Sequence, residues 1–196
     1  MSQISLINQL TNCNVIIWDF GDTLAYLDLP WERFFVLAPA QIAQIQAQYL
    51  PQNLKQLHQL IDKQYPNLRS TFLQYRSWFE TQLISPVRLN PTAINWLTRL
   101  PQTLHYIWSN NMLSTIESVL TDFDLLTQFK FIAATDNMHQ LKPDPAGFEI
   151  IQQQFQFPTT SCLMVGNPPI DQIAAKQAGI AFLDVDNLPN LEPCIK

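Results

Sequence analysis

Charge is scarce in this chain. Only 14% of its 196 residues are charged, and no lysine or arginine cluster occurs anywhere. Nucleic acid or an anionic membrane as the main partner is therefore disfavoured, as the net charge of −5 and pI near 5.0 also suggest. With so few charges and 47% hydrophobic residues, the chain is neither disordered nor a coiled coil; it can bury a core. Long apolar runs are missing, which excludes a membrane span. Residues 1–14 are polar apart from a few Ile and Leu, and they show no signal peptide. Cysteine is limited to Cys13, Cys162 and Cys194, an odd number without metal-ligand spacing. They read as free thiols of a reducing cytoplasm. His58, His105 and His139 are widely spaced, and no metal-ligand pattern links them. Repeats and low-complexity tracts are absent too. The glutamine clusters at 41–48 and 152–154 are interleaved with Ile and Phe, as on solvent faces of helices.

What the chain does contain is an alternation of short apolar runs with helical stripes. The length suits one core domain plus a small insertion. Val15-Ile16-Ile17-Trp18 reads as a buried strand and ends in Asp19-Phe20-Gly21-Asp22-Thr23-Leu24. A carboxylate at the carboxyl end of such a strand stands where open α/β sheets place their ligands. The Gly and Thr allow a tight turn whose N–H groups face an anion. On this segment alone, a strand followed by a turn accounts for the pattern. Further strands are expected at Leu104–Trp108, Phe131–Ala134, Cys162–Val165 and Ile180–Val185. Helices are expected at Pro91–Leu100, Leu113–Phe129, Pro145–Phe155 and Asp171–Ala178. Five strands alternating with helices predict a parallel, doubly wound α/β sheet. Between its first two strands lie helical stripes at Ala40–Tyr49, Gln52–Gln64 and Asn67–Ile84, punctuated by Pro39, Pro51, Pro66 and Pro86. Residues 30–86 thus form a small helical insertion, and residues 1–29 and 87–196 the core.

Three of the apolar runs end in small polar or acidic groups: Asp19, Ser109-Asn110, and Gly166-Asn167 with Asp171 beyond. A lone lysine, in Leu141-Lys142-Pro143-Asp144, precedes a helix between the last two. In this order they resemble the haloacid dehalogenase (HAD) superfamily of hydrolases, over residues 14–186. The resemblance implies a Rossmann-like core with the insertion acting as a mobile cap. It also implies phosphoryl transfer from a small phosphorylated metabolite. Asp19 would be the nucleophile and form an aspartyl phosphate. Ser109 and Lys142 would hold phosphate oxygens, helped by backbone N–H groups after Asp19 and at Asn110. Thr23 would brace the loop. Mg²⁺ would take the Asp19 carboxylate, the Gly21 carbonyl and a group in 166–171, with Asn167 and Asp171 as candidates.

Two positions depart from that pattern. The phosphatases of the superfamily usually carry a second Asp, the general acid and base, where this chain has Gly21. In an extended segment the neighbouring Asp22 would point the other way, which makes it a loop-bracing residue. Asn167 replaces an Asp and so removes a negative charge from the Mg²⁺ site. Two further readings therefore stand beside the phosphatase. One is a metal-independent 2-haloacid dehalogenase-like hydrolase, although the Tyr of those enzymes is also replaced by Gly21. The other is a degenerate binding protein without turnover.

Overall fold

The computed structural model of the chain describes residues 3–42, 53–83 and 87–191. Most of the helix expected at 40–49, with Pro51, Pro86 and Cys194, lies outside the described residues. The chain divides into two compact units, Met1–Leu27 with Val87–Lys196, and Asp28–Pro86. Its elements in order are α1 (Gln3–Thr11), β1 (Val15–Trp18), β2 (Ala25–Leu27), α2 (Trp31–Ile42), α3 (Leu54–Gln64), α4 (Arg69–Leu83), β3 (Val87–Leu89), α5 (Pro91–Arg99), β4 (Leu104–Trp108), α6 (Leu113–Asp122), β5 (Phe129–Ala133), α7 (Ala146–Phe155), β6 (Cys162–Gly166), α8 (Ile170–Ala178) and β7 (Ala181–Asp184).

The first unit is built on a five-stranded parallel sheet of order β5-β4-β1-β6-β7. Every residue of β1 is buried, as expected for a central strand covered on both faces. Val15 and Ile17 join Tyr106, Trp108, Met164, Phe148, Ile151 and Ala174 in one core. By alternation, Ile16, Trp18 and His105 face the other way. There the Trp18 indole N–H donates to His105 Nδ1 at 3.1 Å, and His105 Nε2 lies 3.0 Å from the Leu100 carbonyl. Indole nitrogen only donates, so His105 Nδ1 is the acceptor and Nε2 carries the proton. Burial keeps this ring neutral by pushing its pKa down.

The register matters for function. Trp18 pairs with Ile107 on one side and Val165 on the other. The segments that follow β1, β4 and β6 therefore leave the sheet at one edge. The chain turns from β1 toward β4 and β5, and later returns to place β6 and β7 on the opposite side. The end of β1 is thus the point at which strand order reverses.

Several sequence expectations need correction. Residues 3–11 form a helix, and a two-stranded antiparallel pair, β2 and β3, was not foreseen. The helix of the 30s runs through Pro39, which was expected to mark a boundary. Lys142 lies in a turn, four residues before α7 begins, because Pro143 and Pro145 delay the helix. The helix expected to reach Phe129 ends at Asp122, and Phe129 opens β5. Cys13 and Cys162 are free thiols. Among the described residues, no helix is long and apolar enough to cross a membrane.

The second unit has its own core. Phe34 and Ala38 of α2 pack with Leu57 and Ile61 of α3 and with Phe72, Tyr75 and Phe79 of α4. Asn53 caps α3, its side chain accepting from the Gln56 N–H. Within this unit Arg76, Glu80 and His58 are almost fully buried. Arg76 Nε donates to Glu80 Oε1 at 2.8 Å, and Arg76 Nη1 lies 2.7 Å from His58 Nε2. Guanidinium has no acceptor, so His58 is neutral and accepts through Nε2. Burial first, and then the Arg76 and Arg69 charges, push its pKa down to about 2.

That depression has a definite sign. The unfolded chain takes up a proton on His58 near pH 6.5, and the folded chain does not. The stability due to neutral His58 is complete above that pH and is lost below it, by up to about 1.4 kcal/mol per pH unit. Thermal melts between pH 7.5 and 4.5 should show a shallower pH dependence for His58→Gln, whose amide oxygen still accepts from Arg76. Equal slopes for the two proteins would contradict a buried neutral histidine.

Candidate active site

Asp19 follows the last residue of β1 directly, and its N–H continues the sheet by donating to the Val165 carbonyl at 2.9 Å. The residue is only 5% exposed. Lys142 Nζ donates to Asp19 Oδ1 at 2.6 Å and to Asp171 Oδ1 at 2.6 Å, and the Thr23 hydroxyl donates to Asp19 Oδ2 at 3.2 Å. Asp171 Oδ2 accepts the Asn167 N–H at 2.9 Å. A buried ammonium thus bridges two buried carboxylates contributed by different parts of the sheet edge.

Electrostatics follow from that placement. Burial by itself would lower the Lys142 pKa; the Asp19 and Asp171 carboxylates outweigh it and hold the amine charged, above the ordinary lysine range. Asp171 is pushed up to about 6, by burial and then by the Asp19 charge, with Lys142 opposing both. With both acids ionised, the three groups carry a net charge of −1.

Lys142 is held from behind as well. The Asn110 side chain accepts the Lys142 N–H at 2.8 Å and donates to the Lys142 carbonyl at 3.2 Å, a two-point clamp on the main chain. The Asn110 carbonyl accepts the Thr135 hydroxyl at 2.7 Å. Lys142 Nζ also lies 6.0 Å from the centroid of the Trp108 ring. Close packing at β6 makes room for Asp171. A Cβ on Gly166 would stand 2.4 Å from Asp171 Oδ2, so no larger residue fits without displacing that carboxylate.

The structure therefore brings Asp19, Thr23, Lys142 and Asp171 into direct contact, with the backbone of Asn167 beside them. Ser109 is buried at the end of β4; its hydroxyl donates to Asn111 Oδ1 at 3.1 Å and accepts the Asn111 N–H at 3.2 Å. Asn110 directs its side chain at the Lys142 main chain. Asp171, the other metal candidate, places one oxygen on Lys142 and the other on the Asn167 N–H, and so also fixes the lysine. Sequence reasoning missed Asn111 and Thr135. Asn111 is adjacent to the Ser-Asn pair, and that adjacency was the available signal.

The reading of Asp22 requires correction. Its backbone is left-handed, with φ of 58°, so the alternation argument for an extended segment does not apply to it. Its side chain is exposed, and its pKa is raised by partial desolvation and by the charge of Asp19. Gly21 has no positive φ, so its backbone would accept a side chain; a Cβ there would meet Asn111 Oδ1 at 3.0 Å.

Comparison with known proteins agrees with this geometry. The family of haloacid dehalogenase-like hydrolases matches residues 16–185, and the chain belongs to that family. A phosphoglycolate phosphatase of Pseudomonas savastanoi pv. phaseolicola is 31% identical over 89 residues, covering 45% of this chain and 32% of that protein. The chain thus spans about a third of the length of that relative. Among solved structures, a predicted phosphoglycolate phosphatase from Haemophilus somnus 129PT superposes with a TM-score of 0.63 at 20% identity, covering 88% of this chain and 84% of the other. CbbY from Rhodobacter sphaeroides, in complex with phosphate, gives 0.62 at 14% identity, with 88% and 85% covered. At such identities the likeness shows the fold.

If Lys142 holds the site together, Lys142→Met should leave two buried carboxylates facing each other and cost about 3–5 kcal/mol of stability. Denaturant unfolding checks this, and calorimetry with vanadate should show binding lost. A variant as stable as wild type would contradict the ion bridge.

Proposed function

We propose that this hydrolase is a Mg²⁺-dependent phosphatase acting on a small phosphorylated metabolite, through an aspartyl phosphate on Asp19. The observation that carries this reading is the Lys142 bridge. It places a buried cation beside a carboxylate at the end of β1, where an anionic substrate meets the sheet edge. The names of the partial-length relatives favour a phosphate ester over a haloacid.

Asp19 attacks phosphorus along the line of the departing oxygen. Lys142, kept charged by two carboxylates, neutralises phosphate oxygens and limits repulsion between Asp19 and the dianion. The Ser109 hydroxyl and the N–H groups after Asp19 serve as further donors, and Thr23 fixes the Asp19 rotamer. Asn110 acts by positioning Lys142.

The donor set fits Mg²⁺ in kind. A centre of net charge −1 that must accept a dianion needs another cation, and the local donors are oxygens. Among the described residues there is no group of three His, Cys, Asp or Glu to hold a metal. The ligands would therefore be mixed: the Asp19 carboxylate, the Gly21 carbonyl and the Asn167 amide oxygen, completed by waters. Bound there, the ion would supply charge neutralisation of the transferring phosphoryl group. One charged ligand implies weak affinity.

The unit Asp28–Pro86 is proposed as the cap that selects substrate. Supporting this, β2 and β3 pair Leu27 with Val87, so the insertion leaves and rejoins the first unit at one point. The free thiols Cys13 and Cys162 favour a reducing compartment such as the cytoplasm.

A panel of phosphate esters, assayed with Mg²⁺ and with EDTA, tests the function. Phosphate release should require Mg²⁺ and fall by at least about 10³-fold in Asp19→Asn. Release that persists in that variant would remove the mechanism. Halide release from a haloacid in EDTA would favour the dehalogenase instead.

A further inference from the structure

Among the described residues of the first unit, three groups near Asp19 could give a proton to a departing oxygen; two of them are bonded to each other, and the third is exposed. Lys142 is 3% exposed, held charged by two carboxylates, and committed to both. Asp171 is 2% exposed, with one oxygen on Lys142 and the other on the Asn167 N–H. Asp22 is exposed, on a left-handed turn whose N–H is bonded to the Ala25 carbonyl at 2.8 Å. Gly21 has no side chain. The space its Cβ would enter is bounded by the Asn111 amide, 3.0 Å away, which holds no acidic proton.

We infer that the site is specialised for phosphorylated substrates whose leaving group departs as a stable anion without a proton: acyl phosphates, with enol and aryl phosphates as the neighbouring class. This inference rests on the phosphatase reading above and narrows its substrate. In the first step a bond forms between an Asp19 oxygen and phosphorus, and the bond from phosphorus to the substrate oxygen breaks. The electron pair stays on that oxygen as carboxylate, enolate or phenolate. In the second step water attacks the phosphorus of the aspartyl phosphate, and the electron pair returns to the Asp19 carboxylate. The proton of the water passes to the phosphate product or to solvent. The intermediate is itself an acyl phosphate, so its breakdown meets the same requirement that the site satisfies.

The nature of phosphoryl transfer makes this selective. Its transition state is loose, with much charge already on the departing oxygen and little bonding to the nucleophile. An alkoxide leaving group therefore needs a proton most, and a carboxylate hardly at all. Loss of general acid catalysis costs roughly 10²–10⁴-fold where the proton is needed. Alkyl phosphates such as phosphoglycolate should accordingly be poor substrates here, whatever the partial-length relatives do.

The test uses the full chain with Mg²⁺, on acetyl phosphate, a series of aryl phosphates of graded acidity, and 2-phosphoglycolate. In wild type, kcat/KM should fall steeply as the leaving group becomes more basic, with phosphoglycolate at least about 10²-fold below the most reactive aryl ester. The double variant Gly21→Asp with Asp22→Gly supplies a carboxyl at 21 and relieves the left-handed backbone at 22. It should raise phosphoglycolate hydrolysis at least tenfold while acetyl phosphate changes by less than about threefold. Asp22→Asn should leave the wild-type profile unchanged. A flat wild-type profile, which needs no variant to fold, would overturn the inference but leave the phosphatase reading intact. So would selective loss of phosphoglycolate hydrolysis in Asp22→Asn, which would make Asp22 the acid. Absence of Asp19-dependent phosphate release from every ester would overturn both.

Discussion

A single buried ammonium, shared between Asp19 and Asp171, is the constraint on which the rest of the site depends. Two carboxylates this deeply buried cannot both remain ionised beside each other without a compensating cation. Lys142 supplies it at 2.6 Å to each. Around that bridge the surrounding choices become intelligible. Gly166 is small because Asp171 occupies the space above it. Asn110 spends both ends of its amide on the Lys142 main chain. The sheet register sets the ends of β1, β4 and β6 at one edge, so residues far apart in sequence converge on Asp19.

The unit Asp28–Pro86 follows a different logic. Its core is aromatic, with Phe34 in contact with Phe72, Tyr75 and Phe79. Into it are set Arg76, Glu80 and His58, polar groups that are costly to bury and tolerable only when paired. Arg76 lies over the Trp31 ring, 5.7 Å from its centroid, so the polar group links α2, α3 and α4. The consequence is a helical unit whose pairing depends on a neutral histidine, and hence on pH.

Much of the core was legible in the sequence, for a physical reason. Central parallel strands are buried on both faces, so Val15–Trp18, Leu104–Trp108 and Cys162–Gly166 appear as continuous apolar runs that end abruptly in polar groups. Three-residue strands such as β2 and β3 carry too little pattern, and α1 is short. The helix Trp31–Ile42 was obscured by Pro39, which local rules place at a helix boundary. At the site, the residue types of Asp19, Ser109 and Lys142 stood out because each is a polar group at the end of an apolar run or among prolines. The part played by Asn111 was not legible. It depends on which side chain lies beside the missing Cβ of Gly21, a contact across 90 residues. The left-handed turn at Asp22 was equally hidden, because it follows from the closure of the loop onto Ala25. The Arg76–Glu80 pair has helical spacing visible in sequence, but its burial is a tertiary fact.

The account turns on Asp19 being the nucleophile that accepts the phosphoryl group in a covalent step, with Lys142 beside it. The most direct measurement is to incubate the full chain with Mg²⁺ and acetyl phosphate, quench in acid, and locate the phosphoryl group by peptide mass spectrometry. The account predicts a phosphoryl group on Asp19 in wild type and none in Asp19→Asn. Turnover accompanied by a label on another residue, or turnover undiminished in Asp19→Asn, would contradict it.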